Sequence, residues 1–218
     1  MNPMSYKMKQ AIIFIFSIII SAGVFSQSKK AEAIIEEITA KTQSYESVEI
    51  EFTFTYEDPS SADEISEPGS LILSGDKYIL DIEGQKVICD GETMWTYIED
   101  AWEVQINAIE EDDESITPSK LLTTYNDDYK AKLEKEYQVD GVNYQRIELK
   151  PEQGKKWIKL DVVINADKKQ FSEITIHDKN GGKIHYKIDK FSPDIEVDDK
   201  DFTFDPADYP DVEIVDMR

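Results

Sequence analysis

The sequence predicts a mainly β protein, one large curved antiparallel sheet with a few helices, and three observations carry that expectation. Apolar and polar residues alternate: Val48, Ile50, Phe52, Phe54 and Tyr56 face one way, while Glu49, Glu51, Thr53 and Thr55 face the other. Turn residues separate successive runs, among them Asp140-Gly141, Asn165-Ala166-Asp167 and Asn180-Gly181-Gly182, as a meander requires. Helical periodicity is confined to two places, and neither a domain boundary nor an internal repeat interrupts the chain.

The first element is not expected in the folded domain. Lys7 and Lys9 precede the apolar run AIIFIFSIII, and SAGVFSQS follows, the pattern of a secretory signal peptide cut after Ser26. The run barely reaches the length of a membrane-spanning anchor, the alternative reading. No cysteine lies near the cut, so lipid attachment there is excluded. Residues 27–218 then form one domain, enough for one sizeable core.

That domain opens with a helix, capped by Ser28, whose Ala31, Ile34, Ile35 and Ile38 recur as one buried stripe. The alternating strand 48–56 comes next, then a polar, proline-containing loop from Glu57 to Gly69. Strands are expected at Ser70 to Leu73, Lys77 to Ile82, Gln85 to Cys89, Thr93 to Ile98 and Trp102 to Ile106. An acidic run, Glu110 to Glu114, precedes a second short helix in which Thr117 caps, Pro118 takes the first position, and Leu121, Leu122 and Tyr125 are apolar. Strands return around Tyr129 to Val139, Tyr144 to Leu149, Trp157 to Ile164, Phe171 to His177 and Lys183 to Phe191, with a last one at Asp201 to Phe204. The total is about eleven strands.

Charge limits the partners. The chain carries 46 acidic residues against 24 basic ones, and two of the basic ones lie in the expected leader, so the mature charge is near −24. Such a surface is repelled by phosphate backbones and anionic leaflets, which argues against nucleic-acid binding and headgroup docking. The lone Cys89 cannot form an internal disulfide, and within an apolar strand it reads as core.

No catalytic constellation stands out. The carboxylates invite a glycosidase-like pair, yet most fall on outward strand positions or in turns, where solvation explains them. His177 and His185 sit on neighbouring strands, but two ligands without a third make no zinc site. Walker, G-x-S-x-G and C-x-x-C motifs are absent. The expectation is a protein that is not an enzyme and uses no cofactor or metal.

The stretch VICDGETMWTY, residues 87–97, points to a different role. With a two-residue turn at Asp90-Gly91, Val87, Cys89, Met94 and Ile98 share one face and Ile88, Trp95 and Tyr97 the other, so both faces are apolar. One is expected to line a lumen, and the other to pack under a helix or in an outer layer. A curved sheet that does not close cannot fill its concave side alone; helices or a ligand must do so.

The order of these features resembles the LolA family. The residues that carry the resemblance are Asp90, Gly91, Trp95 and Tyr97 of the hairpin; Thr117, Pro118, Leu121 and Leu122 of the helix; and Asp201, Phe202, Thr203, Phe204 and Pro206 near the end. The resemblance implies an incomplete, half-open β-barrel with a helical lid over a hydrophobic cavity. It further implies a soluble periplasmic carrier, expected as a monomer, that binds lipoprotein acyl chains. The carrier would receive them from an inner-membrane lipoprotein-releasing transporter and deliver them to an outer-membrane acceptor. Candidate cavity residues are Ile50, Phe52, Phe54, Tyr78, Leu80, Val87, Met94 and Trp95, and candidate lid residues are Ile34, Ile38, Leu121, Leu122 and Tyr125. The family's lid-latching Arg-Pro is replaced here by Ser74-Gly75-Asp76-Lys77, where Lys77 offers a point charge in place of a planar fork. An envelope sensor or a general lipid-binding protein built on the same half-barrel remains an alternative, as does an enzyme acting on envelope glycans.

Overall fold

Residues 27–43 form the helix α1, which buries one stripe because its apolar positions recur every three or four residues: Ala31, Ile35 and Ile38 are at most 2% exposed. This computed structural model describes residues 27–61, 64–109, 122, 129–152 and 157–218. The expected leader 1–26 and most of the second expected helix, including Thr117, Pro118, Leu121 and Tyr125, lie outside the described residues. Ser28 does not cap α1. It lies inside the helix, where its hydroxyl donates across the fold to the Ala131 carbonyl at 2.9 Å.

Among the described residues twelve strands make one sheet: β1 (Val48–Glu57), β2 (Glu64–Ser74), β3 (Lys77–Ile82), β4 (Gln85–Cys89), β5 (Thr93–Ile98), β6 (Glu103–Ala108), β7 (Tyr129–Val139), β8 (Val142–Pro151), β9 (Trp157–Asn165), β10 (Gln170–Asp178), β11 (Lys183–Pro193) and β12 (Glu213–Asp216). Their order is β12-β6-β5-β4-β3-β2-β1-β11-β10-β9-β8-β7. The two ends do not pair, so the sheet is open. Two antiparallel meanders, β1–β6 and β7–β11, join side by side through β1 and β11.

The sheet is also bent. One contiguous core cluster unites Cys89 of β4 with Ala131 and Leu133 of β7, taking in α1 on the way. Laid flat at ~4.8 Å per strand spacing, the strands from β4 to β7 would spread over about 38 Å, well beyond the ~25 Å length of a helix of this size. Register shifts mark where the bending is concentrated. They occur in β1–β11, β9–β10 and β7–β8, whereas the ladders from β1–β2 through β5–β6 run without one.

Three segments differ from the sequence-based expectation. Glu64 to Gly69, expected as loop, is the first half of β2, because β1 offers a full-length partner: Glu57 pairs with Glu64 and Thr53 with Pro68. Pro68 is tolerated because β3 reaches only as far as Gly69, leaving that stretch paired on one side. Asp201 to Phe204 is not a strand. Asp198 and Asp201 bond each other's backbone in a reciprocal cap, and the turn Asp199–Phe202 winds as a 3-10 helix. The last strand is instead β12, added parallel to β6.

Gly69 sits under the ring of Phe52. A Cβ there would lie 2.5 Å from the Phe52 Cζ, so Gly69→Ala forces out a ring that is otherwise buried. The expected cost is about 1–3 kcal/mol, read as a lower urea midpoint at unchanged slope. An unchanged midpoint would mean the ring has another place to go.

Candidate functional site

Strand pairing decides which residues share the inner face. From β1 outward, Ile50 pairs with Leu71, Leu71 with Leu80, Leu80 with Val87, and Val87 with Thr96. The row beside it runs Val48, Leu73, Tyr78, Cys89, Met94. Ile50, Phe52, Phe54, Tyr78, Leu80, Val87 and Met94 therefore lie on one side of the sheet. All but Met94 belong to or pack on the cluster that contains α1 and Leu122. The turn sits one residue later than expected, at Gly91-Glu92: the Asp90 backbone N–H donates to the Thr93 carbonyl at 3.2 Å, and the Asp90 carboxylate accepts from the backbone N–H groups of Glu92 and Thr93 at 2.9 and 2.7 Å. The register moves by two residues, which leaves every side chain on its expected face.

Trp95 is the correction. It alternates with Met94 and pairs with Ile88 and Ile106, so it belongs to the opposite face and does not share the inner one. That outer face has its own cover: Ile88, Val104, Phe202 and Phe204 are buried, and Tyr209 packs against Tyr97 and Phe204 at ring distances of 4.9 and 5.1 Å. Both faces of the hairpin are apolar because one turns to α1 and the other lies under the C-terminal segment.

The inner face is closed at one end and looser at the other. Ile50, Leu71, Leu73, Tyr78 and Cys89 are buried, whereas Phe54, Leu80, Ile82, Val87, Ile184, Tyr186 and Ile188 are half-buried at its margin. Sequence reasoning missed Leu71, Ile184, Tyr186 and Ile188 as lining, although their alternation was the available signal. Tyr186 contacts Phe52 and Phe54, each at 5.6 Å between ring centres. Burial pushes the Tyr186 phenol above its ordinary range. Burial, then the neighbouring Cys89 thiol, does the same to Tyr78, whose hydroxyl lies 3.3 Å from the Met94 sulfur. Both stay neutral, and the acidic residues on this face lie at its edges, Glu67 opposite Phe54 and Glu136 beside the first turn of α1. The lining ends at β6, which presents Glu103, Gln105 and Asn107.

Of the expected lid residues, Ile38 is buried and Ile34 half-buried on α1, and Leu122 is helical and buried in the same cluster. Lys77 does not reach α1. It pairs with Asp199 at 2.7 Å and so holds the C-terminal turn. His177 bonds Asp161 and His185 bonds Thr175, each ring near an outer-face partner, and no metal-binding group occurs among the described residues.

One side chain on the inner side was not foreseen. Between His177/Lys159 and Asp178/Trp157 the register skips Ile158, which bulges out, 54% exposed, and turns Trp157 inward. The Trp157 indole N–H and the Thr39 hydroxyl are the buried side-chain polar atoms among the described residues that lack a hydrogen-bond partner. Each such atom costs about 1–3 kcal/mol.

No helix among the described residues is long and apolar enough to cross a membrane. No curated protein matches the chain. Among solved structures, an uncharacterized conserved protein from Thermus thermophilus shares the fold, with a TM-score of 0.57 at 8% identity over 86% of this chain and 99% of that one. A LolA superfamily protein from Nitrosomonas europaea gives 0.43 at 13% identity, covering 80% and 97%. The lipoprotein LppX from Mycobacterium tuberculosis gives 0.48 at 15%, covering 76% and 97%. The family described as outer membrane lipoprotein carrier protein LolA matches residues 82–205, more than half of the sequence and the part that runs from the end of β3 to the aromatic cover of the outer face. The chain therefore belongs to the LolA family.

Proposed function

We propose that the protein is a periplasmic carrier, released from its leader after Ser26, that shelters the acyl chains of lipoproteins on the inner face of its sheet. The chains would be taken from a releasing transporter in the inner membrane and passed to an acceptor at the outer membrane, with no covalent chemistry on the carrier. The observation that carries this reading is the broad apolar face of an open sheet, with its acidic residues, Glu67, Glu103 and Glu136, kept to the edges. Across nine neighbouring strands it presents hydrocarbon and aromatic rings, and toward its margin those residues are only half covered. A protein that needed this face for its own stability alone would gain by closing the sheet or sealing the margin. An acyl chain brings the kind of surface that finishes the burial.

The net negative charge suits a carrier that stays in water and does not adhere to anionic leaflets while loaded. The proposed cargo class is tested by mass spectrometry of what copurifies from the native periplasm. Acylated peptides or lipoproteins are expected, and outer-membrane lipoproteins should remain in the inner membrane when the protein is depleted. Unchanged sorting on depletion contradicts the transport role.

Neighbouring residues separate the faces. Leu80 and Ile79 are both half-buried and point to opposite sides of β3. Leu80→Asp is expected to weaken binding of a fluorescent fatty-acid probe by about tenfold or more, because it places a carboxylate in the apolar lining. Ile79→Asp should leave probe affinity near wild type. Equal losses in a titration of both variants would mean the probe does not bind the inner face.

A further inference from the structure

We infer that the Trp157 indole N–H is the polar subsite of this inner face, and that it receives a neutral acyl carbonyl, an ester or amide oxygen of the bound lipid. This rests on the carrier reading and adds to it the part of the cargo that is read by a hydrogen bond. Trp157 is 6% exposed, belongs to the inner cluster, and its N–H meets no acceptor. The bulge at Ile158 is what turns it inward, so the strand gives up one regular pairing to bury a donor that then has nothing to bond.

Position agrees with this role. Trp157 lies one step beyond the inner row Ile184, Ile176, Leu160, Leu149, where the cover thins to the half-buried Ile184 and Tyr129. The other unpartnered atom, the Thr39 hydroxyl on α1, can rotate toward a new partner. An indole N–H cannot, because packing of the ring fixes its direction.

The chemistry selects the acceptor. Indole is a donor and nothing else, so the group it binds must bring a lone pair. A hydrocarbon chain has none. A water molecule needs two to four polar partners, and the side chains of the adjoining inner row, Ile184, Ile176, Leu160 and Leu149, offer none. A free carboxylate is disfavoured, because the residue paired with Trp157 is the acidic Asp178. A neutral carbonyl at the head of a buried acyl chain meets each condition.

The test compares a saturated diacylglycerol with its dialkyl ether analogue of equal chain length, each displacing a fluorescent fatty-acid probe from the full mature chain. Wild type is expected to prefer the diester by roughly three- to tenfold, the range of one neutral hydrogen bond. Trp157→Phe should lose that preference by weakening the diester alone, and should melt at or above the wild-type temperature, since it removes an unpaired donor. Equal affinity of wild type for the two lipids overturns the inference without needing the variant, as does a preference that survives in Trp157→Phe. If neither lipid displaces the probe, the carrier reading itself fails.

Discussion

Burial of the inner-face side chains against α1 is the interaction on which the rest of the structure depends. A helix of this length is marginal by itself in water, and α1 exists because Ile35 and Ile38 find the sheet. Burying those two isoleucines is worth about 3–6 kcal/mol, a large part of the 5–15 kcal/mol that separates folded from unfolded domains. The dependence is mutual. The first turn of α1 is tied to β7 by Ser28 and by the Lys30–Glu136 pair, and its last turns to the β9–β10 connection by Glu37–Lys169 and by Lys41 donating to the Lys168 carbonyl. The helix spans the concave side and holds strands together that have no ladder between them. The bulges at β7, β9, β10 and β11 supply the bend that lets one helix meet so many strands.

Much of this was legible in the sequence because a strand's side-chain period is two. Alternation alone assigns Val87, Cys89 and Met94 to one side, and a turn placed one residue later than expected, which moves the pairing by two, leaves that assignment intact. Where sequence reasoning failed, a long-range partner decided the outcome. Residues 64–68 look like a loop until β1 lies beside them, and β12 has no signal beyond four residues that fit an available edge. Trp157 illustrates the limit best. Simple alternation from Leu160 points it outward, and only the skipped pairing of Ile158, a property of two strands together, turns it in. Trp95 failed for the opposite reason: it was read as lining together with Met94, although the period sets the two on opposite faces.

The outer face carries charge in its middle, where the inner face is apolar. Glu148, Lys159, Asp161 and His177 form a linked, half-buried row across β8, β9 and β10, with contacts of 2.8 to 3.4 Å. Burial pushes the Asp161 carboxyl up, but the hydrogen bonds from Lys159 and His177 outweigh it and leave the group below its usual range. A carboxyl so depressed adds stability above its unfolded pKa and loses it as pH falls through the lower folded value. The row is thus a neutral-pH device for the outside of the bend. The remaining ion pairs are exposed and each contributes little, so the acidic surplus serves solubility more than stability.

A carrier with this architecture faces a problem of release. Enclosing about 14 methylenes at ~0.8 kcal/mol each gives roughly 11 kcal/mol of gross gain, more than a handover step can easily reverse. The unloaded protein cannot leave its lining in water either, and Leu122, α1 and the aromatic group of Phe52, Phe54 and Tyr186 already occupy the same face. Any chain that enters must displace part of that packing, so net affinity is the difference between two burials and not the sum of one. Under the proposed carrier role, the half-covered margin of Leu80, Val87 and Ile184 suits that balance. A fully sealed face would be stable and empty, and a fully open one would hold its cargo too well to give it up.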